Sequence, residues 1–293
     1  MHQSILLISH KHRREIQDAA ALAEKVSQSL GFQLIRELDP EDPPTMVLAL
    51  GGDGTILGAA EAAYAADVPL LGINFGHMGF LAETSGETLP EVLEMVKRGD
   101  YFVDPRMTLK VQTTQPGGEV IEGWALNEAV ILHTDMARPA EFAFGIDGQT
   151  VSTYAADGII LATPTGSTAY AFSAGGPVVW PDTEAIVMAP LAAHGLFTRP
   201  LVVSPSSVLE VGVLLENRSA PTVWLDGRRS YSAEPGSSIQ VTKGPRPLKL
   251  VRLDQTPFSR RLVTKFSLPT SGWKAAKYPE TGSAETDLAG SGD

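Results

Sequence analysis

Three segments of the chain gather residue types that handle phosphate, hydroxyls and flat rings. The first is Gly51-Gly52-Asp53-Gly54-Thr55, between the apolar run Met46–Leu50 and a helix-forming stretch from Ile56 to Ala66. A helix that starts at a strand end offers unpaired N–H groups and the positive end of a dipole, both suited to phosphate. Glycines let those amides approach phosphate oxygens where side chains would collide. Gly51, Gly52, Gly54 and Thr55 therefore read as a phosphate loop. A carboxylate would repel phosphate unless it served the chemistry, so Asp53 reads as a residue that holds Mg²⁺, accepts a proton from an attacking hydroxyl, or does both. A tight strand-to-helix turn with a solvated Asp is the plainer alternative. Neither G-x-x-x-x-G-K-[ST] nor a strand ending in G-x-G-x-x-G occurs, so this is not a standard nucleotide fingerprint.

The second segment runs from Asp157 through Gly158–Leu161 into Thr163-Pro164-Thr165-Gly166-Ser167-Thr168-Ala169-Tyr170. Its small side chains leave room for a planar base, its hydroxyls donate and accept, and Tyr170 offers a ring face. A Ser/Thr-rich turn would look the same. The third is Asn127-Glu128 at the start of an apolar run, an amide and a carboxylate able to grip two vicinal ribose hydroxyls. A solvated strand end is the alternative there. The cluster Lys11-His12-Arg13-Arg14 reads as a solvated helix start, with a phosphate contact as the sharper option. His10 and His12 follow the first strand, and His77, His133 and His194 are scattered without ligand spacing, so no residue-built metal centre is expected. Trp124, Trp180, Trp224 and Trp273 read as packing residues.

These segments sit in a chain whose two parts differ in periodicity. Over residues 1–100, apolar strands at Ile5–Ile8, Phe32–Ile35, Met46–Leu50 and Pro69–Ile73 alternate with helices over Glu15–Leu30, Ile56–Ala66 and Leu89–Arg98. That alternation predicts an α/β domain with a parallel sheet. Over residues 101–254 short β-type runs dominate, including Leu109–Gln112, Ala129–Leu132, Glu141–Ile146, Gly158–Leu161, Leu201–Val203, Val208–Val213, Thr222–Leu225 and Ser238–Val241. Asp147-Gly148 marks a hairpin. This part reads as an all-β domain. Phe258–Phe266 reads as a short closing helix. Residues 269–293, rich in Gly, Ser, Thr, Ala and charge, read as a disordered tail.

Composition sets the outer limits. The chain has 293 residues, 43% of them apolar and 19% charged, as in an ordinary globular protein. A net charge of −11 argues against a sequence-independent nucleic-acid binder. The absence of cysteine excludes disulfides, thiol catalysis and Cys-ligated metals. No signal-peptide pattern or membrane-spanning run is seen, so a soluble cytoplasmic protein without a membrane partner is expected.

Taken together, the segments resemble the NAD kinase family. Gly51–Thr55 resembles its glycine–aspartate motif, and Gly72-Ile73-Asn74-Phe75-Gly76-His77-Met78-Gly79-Phe80-Leu81 the loop that follows. Asn127-Glu128 resembles its ribose-binding pair, and Asp157–Ser173 with Gly175-Gly176-Pro177 its long signature. The glycine–aspartate loop alone is also similar to those of phosphofructokinases and of diacylglycerol and sphingosine kinases; all the segments in this order are specific. The resemblance covers residues 5 to 266. It implies transfer of a phosphoryl group from ATP, or another donor such as polyphosphate, to the 2′-hydroxyl of the adenosine ribose of NAD. It also implies Mg²⁺ or another divalent cation bound with the nucleotide, an active site at the seam of the two domains, and residues 255–268 returning to the first domain. A homodimer or homotetramer, in which a neighbouring subunit completes the site, is implied as well.

Residue by residue, Asp53 matches the family's proton acceptor and Gly54 its nucleotide-binding glycine. Asn127, Glu128, Arg138, Asp157, Thr168, Ala169, Tyr170, Ala171, Phe172 and Ser173 match positions of the NAD site. The chain departs from the pattern at three places: Arg228 stands where some relatives carry Gln, Ala155 where many bacterial relatives have a basic residue, and Gly58 where some have Arg or His. Two rival readings remain. A lipid kinase would leave Asn127-Glu128 unexplained, and a non-catalytic NAD(P) sensor would have no use for Asp53.

Overall fold

The computed structural model describes residues 3–10, 13–75, 79–83, 88–135, 138–195 and 197–269. Lys11 and His12, Gly76-His77-Met78 and the expected disordered tail beyond Pro269 lie outside the described residues.

The first domain is built on a six-stranded sheet. Its strands are β1 (Gln3–Ser9), β2 (Phe32–Ile35), β3 (Met46–Leu50), β4 (Leu70–Ile73), β5 (Phe102–Arg106) and β18 (Leu248–Arg252), in the order β2-β1-β3-β4-β18-β5. All pairings are parallel except β18 with β5. Every residue of β3 is buried, because helices cover both faces of the sheet. On one face α1 (Arg14–Leu30) and α3 (Leu89–Arg98) pack Ile16, Ala20, Ala23, Val92 and Leu93 against Leu48 and Leu50. On the other, α2 (Asp53–Ala66) lays Ile56, Ala59, Ala60 and Ala63 against Val47 and Ala49. Helix α1 ends where the sequence indicates, on Gly31 in the left-handed region at φ 80°. The chain leaves β1 towards β2 and β3 towards β4, so the order reverses between β1 and β3. Ligands of open α/β sheets bind in the crevice at such a point.

The second domain is a sandwich of two antiparallel sheets. One has the order β10 (Gln149–Ala156), β9 (Ala140–Ile146), β14 (Leu209–Val213), β17 (Ser238–Lys243), β6 (Leu109–Thr114), β7 (Val120–Ala125). The other has β13 (Leu201–Val203), β12 (Ile186–Leu191), β11 (Gly158–Ala162), β8 (Glu128–Leu132), β15 (Thr222–Leu225), β16 (Arg229–Ser232). Phe142, Phe144, Val211 and Val241 of the first meet Ile131, Ile159, Leu161 and Met188 of the second in one core. The outer face of β8, β11 and β12 is covered too: Val130, Ile160 and Val187 pack against Ala171 of the short helix α4 (Tyr170–Ser173). The Asp147-Gly148 hairpin forms as its sequence indicates. Both residues have positive φ and Ile146 pairs with Gln149.

Two strands from within residues 101–254, β5 and β18, lie in the first domain's sheet. The run Leu248-Lys-Leu-Val-Arg has the same local pattern whichever sheet it joins, so only the tertiary fold assigns it. Helix α5 (Phe258–Phe266) then settles on the loop after β4. Its Arg261 donates to the Ala82 carbonyl at 3.0 Å and to Glu83 Oε1 at 2.8 Å.

Candidate active site

Asp53 is the first residue of α2, preceded by Gly52 as an extended N-cap. The loop Gly79-Phe80-Leu81 folds over it. Leu81 N–H donates to Asp53 Oδ1 at 3.4 Å, and a Cβ placed on Gly79 would collide with the Asp53 carboxylate. That close approach gives a physical reason for glycine at position 79. Lys265 of α5 stands with Nζ 3.9 Å from Asp53 Oδ2. A buried ion cluster fastens the loop from behind: Arg252 donates to Glu83 Oε1 at 2.7 Å and to the Phe80 carbonyl at 2.9 Å, beside Arg261. Asp53 is thus held from its own helix, from the loop and from the closing helix α5.

In front of Asp53 opens a cavity of about 770 Å³. It occupies the crevice between the carboxyl ends of β1 and β3, where α1 and α2 begin. Ser9, Arg13, Asp53, Thr55, Arg228 and Lys265 are among its walls. Three cations, two helix starts and, among the described residues, a single carboxylate give it a positive lining in a protein of net charge −11, chemistry suited to an anion.

The Asn127-Glu128 pair lies beyond this cavity, at the start of β8. Three consecutive N–H groups, of Leu126, Asn127 and Glu128, donate to the Asp226 carboxylate at 2.9, 2.7 and 3.3 Å. Asp226 belongs to the turn joining β15 and β16, so it pins that hairpin to the pair. The Ser/Thr segment packs on the pair from the other side. Thr163 Oγ1 donates to the Leu126 carbonyl at 2.6 Å, and a Cβ on Gly166 would run into the Asn127 backbone. Glu128 is buried, and its Oε2 finds no hydrogen-bond partner among the described residues. Burial, then the charge of Asp226, pushes its carboxyl up to about 8, while the Tyr170 N–H pulls the other way. Burial also raises Asp226, but its three backbone donors and Arg229 oppose that. Glu128 is therefore the member of the pair that keeps a proton near neutrality.

The remaining positions divide into three groups. Tyr170, Phe172 and Ser173 are exposed on α4, and Phe172 packs at 4.7 Å on Phe266, which in turn touches Phe80 beside Asp53. Helix α5 thus bridges the Asp53 loop and α4. Thr168, Ala169 and Ala171 are turned inward to different degrees. Thr168 donates to the Thr165 carbonyl, Ala169 is half-buried, and the Ala171 methyl is fully buried. Arg138 and Asp157 lie elsewhere. In the register of β8 and β11, Ala162 pairs with Glu128 while Gly158 pairs with Leu132, so Asp157, one residue further on, is about 17 Å along the strands from the pair. Asp157 faces His133 at 3.5 Å, and Arg138 lines a small separate pocket with His133. Lys265, Asp226 and the Glu83–Arg252–Arg261 cluster carry no local sequence signal for these positions, because their partners are tens to hundreds of residues away.

Comparison with known proteins resolves the rival readings. Residues 10–101 match the ATP-NAD kinase N-terminal domain and residues 126–253 the ATP-NAD kinase C-terminal domain. An NAD kinase of Nocardia farcinica is 44% identical over 97% of this chain and 98% of its own. The chain belongs to the NAD kinase family. It is accordingly a phosphotransferase whose acceptor is NAD. Among other NAD kinases, that of Corynebacterium glutamicum is 48% identical over 80% of this chain and 81% of its own. The crystal structure of an NAD kinase from Archaeoglobus fulgidus in complex with ATP superposes with a TM-score of 0.68 at 27% identity, covering 90% of this chain and 97% of that one. Yeast NADH kinase complexed with NADH shares the fold at a TM-score of 0.81 and 20% identity, over 92% of this chain and 89% of that one. The α/β domain and the all-β domain expected from the sequence are the NAD kinase architecture.

Proposed function

We propose that the donor's phosphates occupy the cavity at the β1–β3 crevice and that Asp53 is the base for the 2′-hydroxyl of NAD's adenosine ribose. The observation that carries this reading is the placement of Asp53. Among the described residues it is the one carboxylate beside those cations and helix starts, and a backbone N–H and the Gly79 backbone fix it. As the hydroxyl oxygen bonds to the terminal phosphorus, the bond from phosphorus to the leaving phosphate breaks and the hydroxyl proton passes to Asp53. Lys265 steadies the carboxylate before the transfer. The amides of Gly52 and Gly54 hold the phosphates in line, since such transfers depend on positioning and charge stabilisation.

A divalent cation fits this donor set. Among the described residues no three His, Asp or Glu side chains gather as a metal cage. Asp53 offers one carboxylate oxygen beside the phosphate site, so the donor's own phosphates would supply further ligands, as Mg²⁺ commonly requires. When bound with the nucleotide, the ion neutralises phosphate charge.

NAD is assigned to Asn127, Glu128 and α4. The Glu128 Oε2, without a partner among the described residues, takes a ribose hydroxyl, and the exposed rings of Tyr170 and Phe172 border the bound dinucleotide. Arg138 and Asp157, at the far end of the same strands, fit a homodimer or homotetramer in which they serve a neighbour's site. Gel filtration with light scattering tests the assembly. The reading further places the chain in the cytoplasm. The function is tested by incubating purified protein with NAD and Mg²⁺ and assaying NADP, with ATP and polyphosphate compared as donors. Absence of NADP with every donor would overturn it.

A further inference from the structure

Two adjacent arginines close the β15–β16 hairpin, and their surroundings differ. Arg229 is the more firmly held: it donates to Asp226 at 3.1 Å and lies over the Trp124 ring at 4.7 Å, with Glu61 3.5 Å from its Nε. Arg228 is half-exposed and, among the described residues, has one weak partner, Glu61 at 3.4 Å. Its guanidinium crosses from the second domain to rest on α2 above Gly58. A Cβ at Gly58 would stand 2.8 Å from Arg228 Nη2, so glycine makes the space that the guanidinium fills. From there Arg228 faces the cavity that holds Asp53 and Thr55.

We propose that Arg228 is a donor-phosphate ligand, delivered across the seam by the β15–β16 hairpin and admitted to the cavity by Gly58. This rests on the reading that the donor's phosphates occupy that cavity. The side of the reaction follows from the walls. Arg228 shares the cavity with Ser9, Arg13 and the start of α2, the phosphate end of the sheet, whereas Asn127, Glu128 and Tyr170 lie outside it. A guanidinium grips phosphate oxygens with a planar fork that a lysine cannot reproduce. On donor binding Arg228 exchanges its long contact with Glu61 for phosphate. Asp226 keeps the hairpin in place meanwhile, because it is tied to β8 and not to the ligand.

The test is steady-state kinetics on the full-length chain, varying Mg·ATP and NAD separately, with thermal melting of each variant. Arg228→Ala is expected to raise the KM for ATP about ten-fold or more, the loss for one charged hydrogen-bonding group. The KM for NAD and the melting temperature should stay near wild type. Arg228→Lys should fall between. The double variant Gly58→Arg/Arg228→Ala, which returns a guanidinium to the same space from α2, should recover part of the ATP affinity. Glu61→Gln distinguishes phosphate binding from a clamp between domains. Releasing Arg228 should leave the KM for ATP unchanged or lower it, whereas a clamp predicts the defect of Arg228→Ala. An unchanged KM for ATP in Arg228→Ala, a rise confined to the KM for NAD, or a matching defect in Glu61→Gln would each overturn the proposal. None of these results touches the role of Asp53, which fails only if Asp53→Asn stays active.

Discussion

Replacing Asp53 by Asn separates chemistry from architecture, because the structure says which interactions survive. The amide keeps the carboxylate's shape, so it fits against Gly79 and its oxygen still accepts the Leu81 N–H. What is lost is charge and basicity. The ion pair with Lys265 is long, at 3.9 Å, and both side chains are about a third or more exposed. Its contribution to stability is therefore within about 1 kcal/mol, and the melting temperature should move little. Rate is another matter. A positioned general base contributes about 10²–10⁴-fold, and a lost metal contact would deepen the defect. NADP formation should fall by at least that range's lower bound. NAD affinity should hold, because Asn127 and Glu128 sit at the start of β8 and not on α2. Rate, NAD binding and melting are to be measured on the same preparations. A folded variant that keeps more than about a tenth of wild-type kcat would refute the assignment of Asp53 as base.

Gly79→Ala should drive the Asp53 carboxylate from its position and lower kcat by about 10²-fold, the effect of a misplacement near 1 Å, while NAD binding persists; unchanged kcat would show that the loop gives way freely. Asn127→Ala should weaken NAD binding by about 1–3 kcal/mol, read by titration calorimetry, and equal affinity would remove Asn127 from the NAD site. Glu128 has a folded-state pKa of about 8, above its unfolded value. Its stabilising contribution is complete below the ordinary carboxylate range and is lost as pH climbs from there to about 8. Wild-type melting temperature should therefore drop across that window relative to Glu128→Gln, by a difference on the order of a few kcal/mol; parallel pH profiles would contradict the buried, protonated carboxyl.

Legibility in the sequence followed the range of the interactions. The alternation that builds β1, α1, β3, α2 and β4 is written in consecutive residues, because each strand is covered on both faces and each helix buries one stripe. The turn Gly51–Thr55 from β3 into α2 is legible for the same reason: five neighbours make it. The hydroxyls of Thr163 and Ser167 show the limit of composition. Their presence advertises donors and acceptors, yet Thr163 is spent on Leu126 and Ser167 on Pro164 and Val179, inside the fold. Composition gives the groups and not the direction they face. β5 and β18 were assigned by tertiary pairing, and the Lys265 approach to Asp53 joins residues far apart in the chain. Arg228 stood out in the sequence as a departure from the family pattern. Its relation to Gly58, another departure, becomes visible only when hairpin and helix meet.

One element relates the two halves of the site. Helix α2 begins with Asp53, meets Arg228 and Arg229 at Glu61, and near its end stacks Tyr64 on Trp124 of β7 at 3.9 Å between ring centroids. Arg229 lies over Trp124 and Arg246 over Tyr64 at 4.4 Å, so two cations accompany two rings. Leu126, the residue before the Asn127-Glu128 pair, inserts its side chain into the core shared with Ile56 and Ala60 of the same helix. The pair that is to hold NAD is therefore packed, one residue away, against the helix whose first residue is to take the proton. Core packing is close and tolerates little displacement, so a shift of α2 would carry Asp53 and disturb Leu126 together. Acceptor and base are registered through that shared helix.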